Sequence, residues 1–235
     1  MQQPSFQNQL GASIEILTGL NQHAALIEQI AARVRDTILQ GHLLLTCGNG
    51  GSATDAQHLA EELVGRYRGN RRALPAVSLA SDVSAITCIA NDFGYDAIFA
   101  RQLQGLSKPG DVLVCFSTSG NSPNIIAALH AAREHGVFSI ALLGKDGGIA
   151  RTLADLALVV AANDSARIQE AHLQVLHYIC EVIEQAAASG ANLLITHEPT
   201  FYNHRDDTDW LAHDPVYAAK RALIEQHELV IWRFH

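Results

Sequence analysis

Residues 43–66 have the sequence LLLTCGNGGSATDAQHLAEELVGR, which places three structural elements in a row. Residues 43–47 are a short apolar run bounded by glycine and polar residues, and this pattern predicts a buried parallel strand. The glycines that follow allow a tight turn with exposed backbone amides, and Ser52 is the expected cap of the next helix. A strand, a glycine turn and a helix start form a binding site for an anion.

The helix after this turn carries titratable side chains on one face. Asp55, His58 and Glu62 are three and four residues apart, and residues at that spacing are neighbours on a helix. We therefore expect His58 and Glu62 to chelate one metal ion or to act as an acid/base pair. A solvated or core-lining helix face is the plainer interpretation. The turn also matches a dinucleotide fingerprint loosely, but the acidic residue of that fingerprint is not at a convincing distance.

The composition describes an ordered, acidic chain. It has 235 residues, 48% of them hydrophobic and 17% charged, with a formal net charge of −8. This length suits one α/β domain with an appendage. The charge provides no basic stripe for nucleic acid, and no apolar run approaches a membrane span. The N-terminus lacks the features of a signal peptide, and the four cysteines lack metal-ligand spacing. We therefore expect a cytoplasmic protein with buried free thiols.

The remaining apolar pattern predicts a doubly wound α/β fold, a three-layer sandwich around five parallel strands. Apolar residues at helical spacing indicate two helices within residues 5–40, broken near residues 19–21, that pack on the sheet or on another chain. Further strands are expected at residues 75–79, 111–116, 137–143 and 156–160. Further helices are expected at residues 81–94, 96–106, 123–136 and 166–188.

A second candidate ligand loop, STSGNSP at residues 117–123, follows the strand predicted at residues 111–116. Pro123 suits the first turn of a helix, because proline lacks the amide that would be unpaired there. Hydroxyl groups and helix-start amides together make a neutral cradle for a phosphate monoester at the carboxyl end of a strand, where open parallel sheets bind ligands. The hydroxyls belong to Ser117, Thr118, Ser119 and Ser122. A serine-rich turn with a capping residue is the plainer alternative.

Seven motifs then occur in order: CGNGGS, HLAEEL, GRY, ANDFG, STSGNS, LLGKDGG and RIQEAHLQVLH. Together they resemble the phosphoheptose isomerases of the sugar isomerase (SIS) domain superfamily, over about residues 1–186. The resemblance implies a five-stranded parallel sheet flanked by helices, a homotetramer and one zinc ion per subunit. It also implies conversion of sedoheptulose 7-phosphate to D-glycero-D-manno-heptose 7-phosphate through an enediolate.

The resemblance assigns roles to residues at the matching positions. The implied zinc ligands are His58, Glu62, Gln169 and His177. The implied phosphate ligands are Ser52, Ser117, Thr118, Ser119 and Ser122. The implied sugar contacts are Asn49, Gly50, Gly51, Asn91 and Asp92, and we also assign Asp55, Glu62, Arg66 and Gln169 to the substrate.

The implied chemistry agrees with these residue types. Aldose–ketose isomerisation needs a base for the proton beside the carbonyl and an acid for the carbonyl oxygen, roles suited to Glu62 and His177. Histidine nitrogen and carboxylate oxygen are ordinary zinc ligands. Gln169 and His177, however, are eight residues apart, about 12 Å along a helix axis. They share a metal only by long inward reaches or from different subunits.

A non-catalytic member of the same superfamily is the alternative. The protein that binds a replication initiator shares the SARIQE stretch found here at residues 165–170. That binding module lacks counterparts of Glu62 and His177, and both residues are present in this chain. The isomerase is therefore the favoured interpretation, with the initiator-binding module as the second one.

Residues 189–235 form a separate region. They resemble a fragment of the hexameric dinuclear-metal-centre family, in which His197 and Glu198 would match metal ligands, but the rest of that family's domain is absent. The pattern predicts a strand at residues 192–196, a helix at 214–226 and a strand at 229–234. One βαβ unit is far below a self-sufficient core. We expect an isomerase domain at residues 1–188, joined within one helix to a fragment that docks on the sheet edge or stays partly disordered.

Overall fold

The computed structural model describes residues 5–189 and, in addition, the backbone of two strands at residues 193–196 and 230–233. The chain divides into two compact units, residues 1–184 and residues 185–235. The first unit contains a five-stranded sheet with helices on both faces. Among the described helices, none has the length and apolar character needed to cross a membrane.

The strands and helices of the first unit alternate along the chain after an N-terminal helical pair. The pair is α1 (Phe6–Gly19) and α2 (Ala24–Leu39), joined by a 3-10 turn (Leu20–His23). The strands are β1 (Leu44–Gly48), β2 (Ala76–Ser78), β3 (Val112–Ser117), β4 (Phe138–Gly144) and β5 (Leu156–Val160). The later helices are α3 (Gly51–Val64), α4 (Val83–Phe93), α5 (Ile98–Leu106), α6 (Pro123–Glu134), α7 (Ala150–Leu153) and α8 (Ser165–Ser189).

The sheet is entirely parallel, in the order β2-β1-β3-β4-β5. Every residue of β1 and β3 is buried, which explains why both are continuous apolar runs rather than alternating ones. In β3, Val112 and Val114 join the core on one face, and Leu113 and Cys115 join the core on the other. The strand order reverses between β1 and β3, and ligands bind beyond the carboxyl ends of the strands at such a switch point.

Several local features differ from the sequence expectations. Gly50 occupies the N-cap of α3, with φ of 56°, so the helix begins before Ser52, which is buried within the first turn. The expected cap at Ser52 is therefore wrong, because the glycine adopts a backbone angle that other residues disfavour. The short helix α7 was not predicted. Cys88 is exposed, whereas the other three cysteines are buried as expected, and all four are free thiols.

The second unit contains a parallel strand pair. Strands β6 (Leu193–Thr196) and β7 (Val230–Arg233) are aligned with Leu193 opposite Val230. This pairing agrees with the predicted βαβ unit. The helix predicted at residues 214–226, together with His197 and Glu198, lies outside the described residues. The helix α8 runs on to Ser189, so the two units join within one helix.

Candidate active site

The first group of predicted site residues surrounds a small cavity at the carboxyl ends of β1 and β3. The cavity has a volume of about 60 Å³. It is lined by Asn49, Ser52, Phe116, Ser117, Thr118, Ser119, Ser122 and Gln169. The glycine turn after β1 and the hydroxyl loop after β3 thus form opposite walls of one polar pocket, as adjacent parallel strands require.

The loop hydroxyls hold the loop in shape while keeping their own protons. The Oγ of Ser117 accepts a hydrogen bond from the amide of Gly120 (3.1 Å), and the Oγ of Ser119 accepts one from the amide of Asn121 (3.2 Å). A hydroxyl has one donor and two acceptor lone pairs. Accepting these bonds leaves each hydroxyl proton to donate to a ligand, so the loop can present donors to a phosphate group.

The start of α6 adds to this donor set. Ser122 is the N-cap, its side chain makes no capping hydrogen bond, and Pro123 begins the helix. The Ser122 hydroxyl is therefore not used by the helix, and the positive end of the α6 dipole follows directly after the loop. Such an arrangement suits a phosphate group without a lysine.

Gln169 lies against the glycine turn on the other side of the cavity. A Cβ added to Gly51 would be 2.5 Å from the Nε2 atom of Gln169, so a side chain there would displace the Gln169 amide. The structure thus places the Gln169 side chain at the same cavity as the hydroxyl loop, on α8 two helical turns before His177.

Two neighbours that the sequence analysis missed fix the glycine turn. Asn49 and Asn124 exchange two side-chain amide hydrogen bonds, of 2.8 and 2.9 Å, and Asn124 is buried. The hydroxyl of Tyr95 donates to Oδ1 of Asn49 at 3.2 Å. The side chain of Asn49 therefore links the turn to α6 and to the segment after α4. In the sequence, Asn124 was recognisable only as a polar residue in the first turn of a predicted helix.

The second group of predicted residues meets where α3 passes α8. The Nε2 atom of His58 lies 3.2 Å from Oε1 of Glu62, and the rings of His58 and His177 are 5.1 Å apart in an edge-on arrangement. One ligand atom from each of His58, Glu62 and His177 lies within 4.8 Å of the other two. We call these three residues the triad. Two imidazole nitrogens and one carboxylate oxygen form a donor set that binds zinc and leaves a coordination position open.

Burial and neighbouring charge set the protonation of this region. Burial lowers the pKa of His177, and the adjacent His58 lowers it further, while Glu62 acts in the opposite direction. Burial raises the pKa of Asp55 to about 6, against the effect of His58. Within the described part of the chain, the Oδ2 atom of Asp55 is buried without a hydrogen-bond partner. A neutral His177 has a free lone pair for a metal ion or a proton.

His172 lies on α8 between Gln169 and His177. Its ring is fully buried, and its Nε2 atom donates to the carbonyl of Leu143 at 3.1 Å. Burial lowers the pKa of His172 to about 4, although the bond to Leu143 opposes this effect. The residue therefore stays neutral near pH 7 and attaches α8 to the end of β4.

Three exposed residues among the predicted substrate contacts lie outside both groups. Arg66, Asn91 and Asp92 are exposed. The side chains of Asn91 and Asp92 bond to each other at 2.7 Å at the end of α4. Their contact with the substrate stays a prediction.

This fold and these loops are those of a sugar isomerase domain, since a family model described as the SIS domain matches residues 9–144. A phosphoheptose isomerase of Pelobacter propionicus is 51% identical over 161 residues, which cover 68% of this chain and 85% of the relative. The chain belongs to the phosphoheptose isomerase family.

Solved structures agree with this assignment. The phosphoheptose isomerase of Neisseria gonorrhoeae is 39% identical, with a TM-score of 0.69, and the match covers 77% of this chain and 100% of that one. The phosphoheptose isomerase of Francisella tularensis is 32% identical with a TM-score of 0.70, at the same coverage of each chain.

Proposed function

We propose that this protein isomerises sedoheptulose 7-phosphate to D-glycero-D-manno-heptose 7-phosphate by proton transfer between the first two carbons of the sugar. The observation that carries the proposal is the convergence of the triad beside a hydroxyl-lined cavity, in a member of the phosphoheptose isomerase family. One group of residues is suited to hold the phosphate, and the other group is suited to the reaction.

The spacing of the two groups suits a long substrate with its reacting end far from its phosphate. Ser52 lines the cavity and His58 belongs to the triad. The two residues are six positions apart on α3, about 9 Å along the helix axis. A seven-carbon sugar that carries phosphate on its last carbon and reacts at its first two spans such a separation. The phosphate group then anchors the sugar without taking part in the reaction.

The triad residues fit a zinc ion by the chemistry of their donor atoms, and they would hold it from α3 and α8. When bound, zinc acts as a Lewis acid that polarises the substrate carbonyl. Gln169 is the fourth proposed ligand. Because it lines the phosphate cavity in this chain, it reaches the metal only by a change of side-chain conformation or from another subunit.

The proton transfers belong to Glu62 and His177. The carboxylate of Glu62 is positioned to remove a proton from the carbon beside the carbonyl and return it to the neighbouring carbon. The imidazole of His177 is positioned to carry a proton between the oxygens of the first two carbons. This transfer is needed because the carbonyl moves from one carbon to the other. The two roles require groups of different basicity at one place, and a carboxylate beside a neutral imidazole provides them.

We also propose a cytoplasmic homotetramer. Four large apolar side chains of α1 are exposed on the single chain, namely Phe6, Leu10, Ile14 and Leu17. An apolar helix face of this kind is typical of a surface that another subunit covers. Light scattering coupled to size-exclusion chromatography measures the assembly directly, and a monomer at micromolar concentration would contradict this part of the proposal.

The turnover of sedoheptulose 7-phosphate by the purified protein tests the proposed function. We expect formation of the aldoheptose phosphate, loss of activity after treatment with a chelator, and recovery on addition of zinc. The initiator-binding module predicts no turnover and a stable complex with the replication initiator in a pull-down. Turnover that a chelator does not affect would remove zinc from the mechanism.

A further inference from the structure

The guanidinium of Arg71 binds the C-terminal end of α3, beside the triad. Arg71 lies in the loop between α3 and β2, and its side chain is only 8% exposed. Its Nη2 atom donates to the backbone carbonyl of Glu62 at 2.8 Å, and its Nη1 atom donates to that of Leu63 at 2.9 Å. The last carbonyls of a helix lack intrahelical partners. Arg71 therefore supplies donors to the backbone of a triad residue itself.

The same side chain also binds α8. The Nε atom of Arg71 donates to Oε2 of Glu184 at 2.9 Å, and the amide of Gly69 donates to the other carboxylate oxygen. Glu184 follows His177 by seven residues, two helical turns along the same face of α8. One guanidinium thus connects the end of the helix that carries Glu62 to the helix that carries His177.

The charge of Glu184 supports this connection. Burial alone would raise the pKa of Glu184, but the hydrogen bonds from Arg71 and Gly69 outweigh it and lower the pKa below its usual value. The carboxylate is therefore ionised near neutral pH. A planar guanidinium donates in several directions at fixed angles, which a lysine ammonium on its flexible stem does not do.

We propose that Arg71 is a positioning residue that fixes α3 against α8, so that Glu62 and His177 stay close enough to bind one zinc ion. The inference rests on the proposed function, because it assumes that the ligand atoms of the triad bind zinc. The hydrogen bonds of Arg71 go to backbone carbonyls and to Glu184, not to the ligand atoms of the triad. Arg71 contacts the backbone of Glu62 on α3, and on α8 it contacts Glu184, two turns beyond His177.

Zinc affinity of the folded protein tests the proposal, measured by competition with a chromophoric chelator. We expect Arg71→Met to weaken zinc binding by about 10- to 100-fold, the usual effect of removing a group that orients metal ligands. Turnover with saturating zinc should show a lower kcat with little change in KM, because the phosphate cavity is untouched. Arg71→Lys should recover only part of the zinc affinity.

Arg72→Met is the matched control. Arg72 is exposed on the same loop, so the variant removes the same charge at the adjacent position. We expect it to bind zinc as the wild type does. Equal loss of zinc affinity in the two variants would overturn the proposal, because the loss of one positive charge from the loop would then explain the effect. A folded Arg71→Met protein with wild-type zinc affinity would also overturn it and leave Arg71 with a role in stability only.

Glu184→Gln keeps the test decisive if Arg71→Met does not fold. This variant retains the side-chain shape and an acceptor but removes the charge that holds the guanidinium. We expect a folded protein with measurably weaker zinc binding, and wild-type affinity would overturn the proposal. Wild-type protein that neither binds zinc nor turns over substrate would overturn the proposed function and this inference with it. If the wild-type protein binds zinc and turns over the substrate, and the variants have the same zinc affinity, only the inference about Arg71 is overturned.

Discussion

The two ends of the candidate active site are built from opposite chemistry. At one end, a loop of hydroxyls lines a cavity of about 60 Å³ without a charged side chain. At the other end, two imidazoles and a carboxylate place their ligand atoms within 4.8 Å of one another. Neutral donors can hold a charged group that does not react, whereas an acid and a base are needed where protons move. The comparison implies that substrate binding and catalysis can be weakened separately.

The largest effect is expected from Glu62→Gln, which removes the base and keeps the side-chain shape. General acid–base catalysis contributes typically ~10²- to 10⁴-fold, so kcat should fall by about that factor. Steady-state kinetics at saturating substrate and zinc measures it. A variant within a few-fold of wild type would assign the proton transfer to another residue.

The next effect is expected at the other end, from Ser119→Ala and Ser122→Ala. Each hydroxyl that donates to a charged phosphate oxygen contributes roughly 1.5–3 kcal/mol, or about 10- to 150-fold in affinity. KM should rise while kcat changes little, because the lost bond holds the substrate and the transition state equally. Wild-type binding by both variants would place the phosphate elsewhere.

A smaller effect concerns the helix that both ends share. His172 has its pKa lowered from 6.5 in the unfolded chain to about 4 in the fold. Below pH 6.5 the unfolded chain takes up a proton that the fold excludes, so the stabilisation present above pH 6.5 is lost as the pH falls toward 4. Between pH 6.5 and pH 5 the loss is about 2 kcal/mol. Denaturant unfolding measures it, and a His172→Gln variant should flatten that pH dependence. An equally steep dependence in the variant would exclude His172 as its cause.

The smallest effect is expected from removal of residues 189–235. Every residue assigned to either end of the site precedes Ala186, so truncation after Ala188 should leave kcat and KM unchanged. The truncated form should also be more soluble, because the strands β6 and β7 are largely apolar, and apolar strands favour edge-to-edge pairing between chains when they are exposed. A tenfold or greater loss of activity in folded, truncated protein would indicate that a residue of the second unit, such as His197 or Glu198, reaches the site.

Local sequence patterns predicted most of the framework. The strands β1 and β3 are apolar runs because both sheet faces are covered, and the meeting of His58 and Glu62 follows from helical spacing alone. The glycine turn was also apparent, although the N-cap of its helix is Gly50 rather than Ser52. These features depend on neighbours within a few residues, which is why the sequence reveals them.

The connections between distant segments were not predictable in this way. Asn124 is 75 residues from Asn49, and Glu184 is 113 residues from Arg71. A buried asparagine and a loop arginine do not belong to any periodic sequence pattern that would reveal their partners. Only the packed fold shows what they bind. The position of Gln169 beside Gly51 likewise depends on how α8 crosses the sheet, so the sequence suggested its role without its location.

A calorimetric titration of Glu62→Gln with inorganic phosphate tests whether phosphate binding and catalysis depend on different residues. We predict the same phosphate affinity as the wild type in a variant that has lost most of its kcat, with Ser122→Ala as the control that loses phosphate affinity. A fall of phosphate affinity in Glu62→Gln that parallels the fall in kcat would contradict the account, because the two ends of the site would then act as one.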